Sequence, residues 1–207
     1  VTKTNEVRID GEFSNEHQIA KLLVQEAASW APPTLQTSRL ILRAINESDA
    51  GNIYAYAQNP NVSRWTLWEP HRSVDDSLTY IRDYVFKHYR EKTPEPFGIA
   101  WKDRPETLIG TVGCFWASRP AKSMELAYAL SESYWGQGIT TEASLAVMEH
   151  CFETYDLKRI QARCKVENVA SARVMQKIGM EYEGTLRAML FHRERYWDMA
   201  YYAKIRA

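Results

Sequence analysis

The stretch Glu125-Leu126-Ala127-Tyr128-Ala129-Leu130, followed by Tyr134-Trp135-Gly136-Gln137-Gly138-Ile139-Thr140-Thr141-Glu142-Ala143, decides how this chain folds. A strand-like run passes into Gly-x-Gly and then directly into a helical pattern that continues to about residue 155. Such a junction leaves the first backbone N–H groups of the helix unpaired and sets the positive end of its dipole at the turn. Glycines there let an anion come close to the backbone, so the turn is an anion site. It is not a dinucleotide fingerprint, because Thr141 stands where the third glycine belongs and a meander rather than a βαβ repeat precedes it. It is not a Walker loop either, since Gly138 is followed by Ile139-Thr140 instead of Lys-Ser/Thr.

Downstream, residues 158–166 alternate cleanly, with Ile160, Ala162, Cys164 and Val166 expected on a buried face and Arg159, Gln161, Arg163 and Lys165 on the other. Asn168 is placed to cap a short helix that Gly179 ends, and strands at about 180–191 and 195–206 follow. Upstream, three strand-like segments at about 97–102, 108–117 and 123–131 are separated by charged, Pro-containing turns. Before them a helix capped by Ser73 carries Leu78, Ile81, Val85 and Tyr89 on one face, behind an aromatic loop Trp65-Thr66-Leu67-Trp68-Glu69-Pro70-His71. A first strand around Leu40 to Arg43 and a helix from Ala50 to Ala57, stopped by Asn59-Pro60, complete the domain. Strand, helix, strand in the middle requires a parallel pair beside the antiparallel meander, so the order predicts an α+β domain with a mixed sheet. Residues 1–34 form an extension in which Ile19, Leu22, Leu23, Ala27 and Trp30 recur at helical spacing before Pro32-Pro33, and the domain proper runs from 35 to 207.

The 207 residues suffice for one substantial core, and the chain is 45% apolar. Basic and acidic residues both total 26, so no global field draws the chain to nucleic acid or to an anionic membrane. Cys114, Cys151 and Cys164 are odd in number and lie in apolar-periodic segments, which fits buried free thiols in a reducing compartment. No Cys/His spacing suggests a metal site, and no apolar run reaches the roughly 18 residues of a membrane span. A cytoplasmic protein is expected.

The segment from Glu125 to Ala143 resembles the coenzyme A motif of the GNAT N-acetyltransferases, more narrowly of their RimJ/RimL-like branch. Two further motifs carry the likeness: the opening Leu35-Gln36-Thr37-Ser38-Arg39-Leu40-Ile41-Leu42-Arg43, and Glu167-Asn168-Val169-Ala170-Ser171-Ala172-Arg173-Val174-Met175-Gln176-Lys177-Ile178-Gly179-Met180. The resemblance implies a mostly antiparallel sheet of six to seven strands, splayed in the middle, with helices on both faces. It implies acetyl-CoA as cosubstrate, an amine as acceptor and no metal; homodimers are common among its members. Two departures stand out: Trp135 and Thr140 replace the usual flanks of the phosphate motif, and Met175 stands where many members place a tyrosine as general acid.

By the same resemblance, Gly136, Gln137, Gly138, Ile139, Thr140 and Thr141 hold the pyrophosphate, with the Thr140 hydroxyl an added donor. The backbone of Tyr128, Ala129 and Leu130 takes the pantetheine and polarises the thioester, as an oxyanion hole does. Asn168 is an N-cap that also reaches the pantetheine arm. Glu125 is either a general base acting through water or a structural carboxylate bonded across the sheet to an arginine. Ser171 takes the place of the missing acid or serves only as a helix-start residue. Trp68, Glu69 and His71 overhang the acceptor, with the tryptophan equally able to be core, and Asp198 belongs structurally to the closing hairpin. The expected activity is acetyl transfer to a protein or peptide N-terminus. A small amine or polyamine acceptor, a non-catalytic acetyl-CoA sensor and an interaction protein using the leading helix are the alternatives.

Overall fold

In the computed structural model, residues 30–206 are described, and the apolar stripe expected from Ile19 to Ala27 lies outside them. Eight strands form one sheet in the order β1-β2-β3-β4-β5-β6-β8-β7. They are β1 (Leu35–Gln36), β2 (Leu40–Arg43), β3 (Phe97–Trp101), β4 (Arg104–Ser118), β5 (Ser123–Leu130), β6 (Arg159–Lys165), β7 (Glu181–His192) and β8 (Arg195–Ile205). Every neighbouring pair is antiparallel except β5 and β6. The strand beyond the expected six to seven comes from the opening motif, which is broken at Thr37–Arg39 by a turn in which Thr37 N–H donates to Leu40 O at 3.0 Å.

The helices are α1 (Ala50–Ala57), α2 (Pro60–Ser63), α3 (Val74–Thr79, continuing as π-helix Tyr80–Val85 and α-helix Phe86–Arg90), α4 (Ile139–Thr154) and α5 (Val169–Lys177). Ser73 caps α3 in a capping box with Asp76. Asn59-Pro60 both ends α1 and starts α2, because the Asn59 side chain accepts from Asn61 N–H. Alternation along β4 separates the two faces of the sheet. Cys114 lies under α4 beside Cys151, whereas Thr111, three residues away and of opposite parity, bonds to Tyr56 of α1. The α4 face holds the main core, including Leu40, Leu42, Phe97, Ile99, Met124, Leu126, Val147 and Met148.

Two expectations for β6 are corrected. Lys165 is buried at 2% exposure and Val166 is exposed at 46%. The ladder ends at Lys165, so the alternation does not carry to 166. Lys165 is tolerated inside because its ammonium donates to Arg64 O at 2.8 Å and lies 4.2 Å from the centre of the Trp197 ring. Burial, followed by the nearby Arg193 and Arg195, lowers its pKa.

A carboxylate ties the first motif to the second. Glu142, in the first turn of α4, accepts from Thr37 Oγ1 (2.5 Å), Ser38 Oγ (2.9 Å), Arg39 N (3.0 Å) and Arg39 Nε (2.7 Å). Burial pushes this carboxyl upward, and the hydrogen bonds outweigh it, bringing the pKa down to about 2. A group depressed in this way contributes stability above its unfolded value near 4.5 and loses it as the pH falls through 2. Glu142→Ala is therefore expected to lower stability by about 1–2 kcal/mol at neutral pH. Denaturant titrations at several pH values should show that difference shrinking below pH 4.5; a constant difference would refute the clamp.

Candidate active site

After Leu130 the chain makes a short 3-10 turn, Glu132–Tyr134, and enters α4 through Gly136 and Gly138, whose φ angles are 74° and 76°. This left-handed backbone, rather than crowding, requires glycine: a Cβ on Gly136 would meet nothing within 4 Å, and one on Gly138 would meet only Arg39 at 3.7 Å. Glu142 N–H, bonded to Gly138 O at 3.0 Å, closes the first turn, which leaves the N–H groups of Ile139, Thr140 and Thr141 without intrahelical acceptors. Gly136, Gln137 and Gly138 are exposed, while the Ile139 side chain is buried, so Ile139 offers only its backbone. Arg39 Nη2 donates to Gln137 O at 3.2 Å and Trp135 Nε1 to Leu130 O at 2.9 Å, which fixes the loop.

Beside this turn the sheet opens. β5 and β6 pair at only three positions, Ser123↔Arg159, Met124↔Ile160 and Glu125↔Gln161, while β5 stays paired with β4 to Leu130 and β6 with β8 to Lys165. The inner edges beyond Glu125 and Gln161 diverge, and Tyr128, Ala129 and Leu130 lie on the parted edge of β5.

Glu125 sits at the vertex of this gap and is not free. Arg163 Nε donates to its Oε1 at 2.9 Å and Gln161 Nε2 to its Oε2 at 3.0 Å. Glu125 thus bonds across the sheet to an arginine. Ser171 lies in the first turn of α5, where Asn168 Oδ1 accepts its N–H at 3.1 Å, so Asn168 is an N-cap. Met175 is fully buried, and no phenol stands at its position. A phenol comes from another element instead: Tyr128 Oη lies 2.8 Å from Ser171 Oγ and 3.2 Å from Ser171 O, within hydrogen-bond reach of both. The thiol of Cys164 also interacts with Ser171.

On the opposite face of the sheet, Trp68 and His71 line a small cavity with Ile53, Tyr56, Thr111 and Ala129. His71 Nδ1 is 2.8 Å from Ser77 Oγ, and burial lowers its pKa. Glu69 is 65% exposed but is met by Arg193 Nε at 3.0 Å. The same guanidinium reaches Ser63 O and Trp68 O at 3.4 Å, so the β7–β8 turn straps the aromatic loop. Asp198 accepts from Ala188 N–H at 2.7 Å within that hairpin.

Sequence inspection missed Glu95. Its carboxyl is buried against Gly113, where any Cβ would collide with it, and Gly113 pairs with Ala127 of β5. Tyr84 Oη donates to one oxygen at 3.2 Å, and the other has no hydrogen-bond partner among the described residues. Burial pushes its pKa up to about 8. Only the missing side chain at Gly113 hinted at this contact, and that hint is legible only once the strands are aligned.

Residues 39–181 match the family described as acetyltransferase (GNAT) domain. The uncharacterized N-acetyltransferase YoaA of Bacillus subtilis is 31% identical over 84% of this chain and 97% of its own length. The ribosomal-protein-serine acetyltransferase of Escherichia coli is 32% identical over 65% of this chain and 73% of its own. Among solved structures, that of RimL, a ribosomal-protein α-N-acetyltransferase in complex with coenzyme A, superposes with a TM-score of 0.74 at 22% identity. The superposition covers 84% of this chain and 98% of that one.

Glu95 generates a prediction of its own. A carboxyl raised from 4.5 to about 8 keeps its proton in the native state while the unfolded chain loses it, so its contribution lowers stability as the pH rises between those values. Glu95→Gln removes that contribution. Denaturant unfolding from pH 5 to 8 should show the variant gaining on the parent toward pH 8; parallel curves would refute the buried neutral carboxyl.

Proposed function

The chain belongs to the GNAT acetyltransferase family, and from that premise we propose that it carries the acetyl group of acetyl-CoA to a protein or peptide N-terminal α-amine, by direct attack in a ternary complex. It is an acetyl-CoA-dependent N-acetyltransferase. One juxtaposition carries it: the anion turn, the parted edge of β5 and the Ser171 hydroxyl meet around one gap in the sheet.

The pyrophosphate is assigned to the N–H groups from Gly136 to Thr141, and the pantetheine to the backbone of Tyr128, Ala129 and Leu130, with Asn168 fixing the start of α5 at the same gap. The acetyl carbonyl then meets backbone donors fixed in place before the reaction begins. The amine nitrogen attacks that carbon and the C–S bond breaks. One proton leaves nitrogen for solvent and one passes to the departing sulfur from the Ser171 hydroxyl, which regains a proton from solvent.

The acceptor follows from the basicity of the amine. Both oxygens of Glu125 are already engaged, by Gln161 and Arg163. An α-amine of pKa near 7.7–8.0 is roughly one-tenth neutral at pH 7, whereas a lysine-like amine near 10.4 is neutral about once in 2500 molecules, a gap of about 3.5 kcal/mol. An α-amine needs little help. The name of the Escherichia coli relative, a ribosomal-protein-serine acetyltransferase, supports a protein acceptor. Glu69, Trp68 and His71 form the acceptor rim in this scheme, and an incoming ammonium competes with Arg193 for Glu69.

A panel of amines with acetyl-CoA and a thiol-detecting dye tests the acceptor. Peptides with free N-termini are expected to exceed blocked lysine peptides and polyamines by at least about tenfold in kcat/KM. A faster polyamine would move the assignment to small amines, and tight acetyl-CoA binding with no thiol release for any amine would indicate a sensor. For the turn, Gly138→Val is expected to weaken acetyl-CoA by more than about tenfold while the fold persists, because φ of 76° and the open approach are both lost. Retained affinity by calorimetry would remove the pyrophosphate from this turn.

A further inference from the structure

We propose that Tyr128 is a positioning residue: its phenol donates to Ser171 Oγ and so turns the Ser171 hydroxyl hydrogen toward the sulfur leaving into the gap between β5 and β6. The proposal rests on the assignment of Ser171 to the sulfur end of the reaction.

A count of hydrogens carries it. Two hydroxyls and one carbonyl meet at the start of α5: Tyr128 Oη is 2.8 Å from Ser171 Oγ and 3.2 Å from Ser171 O. The carbonyl only accepts, and each hydroxyl has one hydrogen to give. If the phenol hydrogen goes to the carbonyl, the Ser171 hydrogen is taken by the phenol oxygen and none is left for sulfur. If the phenol hydrogen goes to Ser171 Oγ, the serine hydrogen is released to another acceptor. A thiolate forming in the gap is the stronger acceptor and draws the pair into the second arrangement. Neither arrangement moves a proton off Tyr128, which burial keeps protonated by raising its pKa well above the usual phenol value. Another group at Ser171 is the buried Cys164 thiol, a weak acceptor that competes poorly with a thiolate.

The surroundings hold the phenol in place. Tyr128 packs against the core under α4, and its strand is paired with β4 at Val112. Ser171 is held from its other side by the Asn168 cap. The phenol therefore reaches α5 from β5, while the tyrosine position on α5 itself is filled by the buried Met175.

Tyr128→Phe, Ser171→Ala and the double variant, assayed with acetyl-CoA and the best acceptor of the amine panel, test the proposal. Tyr128→Phe is expected to lower kcat about five- to tenfold, with KM for acetyl-CoA and calorimetric coenzyme A affinity within about twofold of the parent. Ser171→Ala should fall at least as far, and the double variant should match Ser171→Ala alone, because the phenol acts only through that hydroxyl. Unchanged kcat in Tyr128→Phe, or losses that multiply in the double variant, would overturn the positioning role while leaving Ser171 in place. Full activity in Ser171→Ala would remove the Ser171 assignment itself and the role of Tyr128 with it. Should Tyr128→Phe fail to fold, a fluorinated tyrosine at 128 keeps the ring and hydroxyl while strengthening the donor; a raised kcat supports the proposal and an unaltered one refutes it.

Discussion

The constraint on which the molecule turns is that β5 keeps only three partners on β6. Each strand is fully committed on its other side, β5 to β4 and β6 to β8, so neither can slide across to close the gap without giving up an established ladder. The opening is thus built into the sheet. It leaves peptide groups on β5 facing outward at the point where α4 and α5 both begin, and peptide groups deprived of partners must find other ones. An enzyme that has to grip an extended, amide-bearing cosubstrate gains from such an edge, since the donors are already fixed in place.

The anion turn depends in its own way on a distant part of the chain. Glu142 would be an ordinary surface residue of α4 if Thr37, Ser38 and Arg39 did not supply four donors to it. Arg39 does double duty by also holding the Gln137 carbonyl. Loop geometry at Gly136 and Gly138 is therefore set from outside as well as by their own left-handed conformation. The opening segment and the glycine turn, about a hundred residues apart, are thereby one structural unit.

Local features were legible in the sequence because they depend on a few neighbouring residues. The Ser73 and Asn168 caps, the glycine pair at the start of α4 and the alternation through Cys164 all follow from short-range rules. Failures came at the ends of elements and across the sheet. Lys165 and Val166 exchanged their expected environments because periodicity does not announce where a ladder stops. Whether Glu125 stood free or paired could not be told from its own strand, since Arg163 and Gln161 reach it from another. The phenol of Tyr128 meeting Ser171, and Glu95 filling the space over Gly113, are contacts between residues remote in the chain. No window of sequence contains both partners.

On the proposed pantetheine site, the parted strands would also link the fate of the fold to its cosubstrate. On the proposed assignment, the pantetheine would take up peptide groups of β5 that β6 leaves unpaired beyond Glu125. Any ligand that binds the folded chain alone raises its stability by RT ln(1 + [L]/Kd), about 2.7 kcal/mol at a hundredfold excess over Kd. In a cell the folded population, and with it resistance to proteolysis, would rise and fall with the supply of acyl-CoA. On that assignment the open seam would make the lifetime of the protein depend on metabolite concentration.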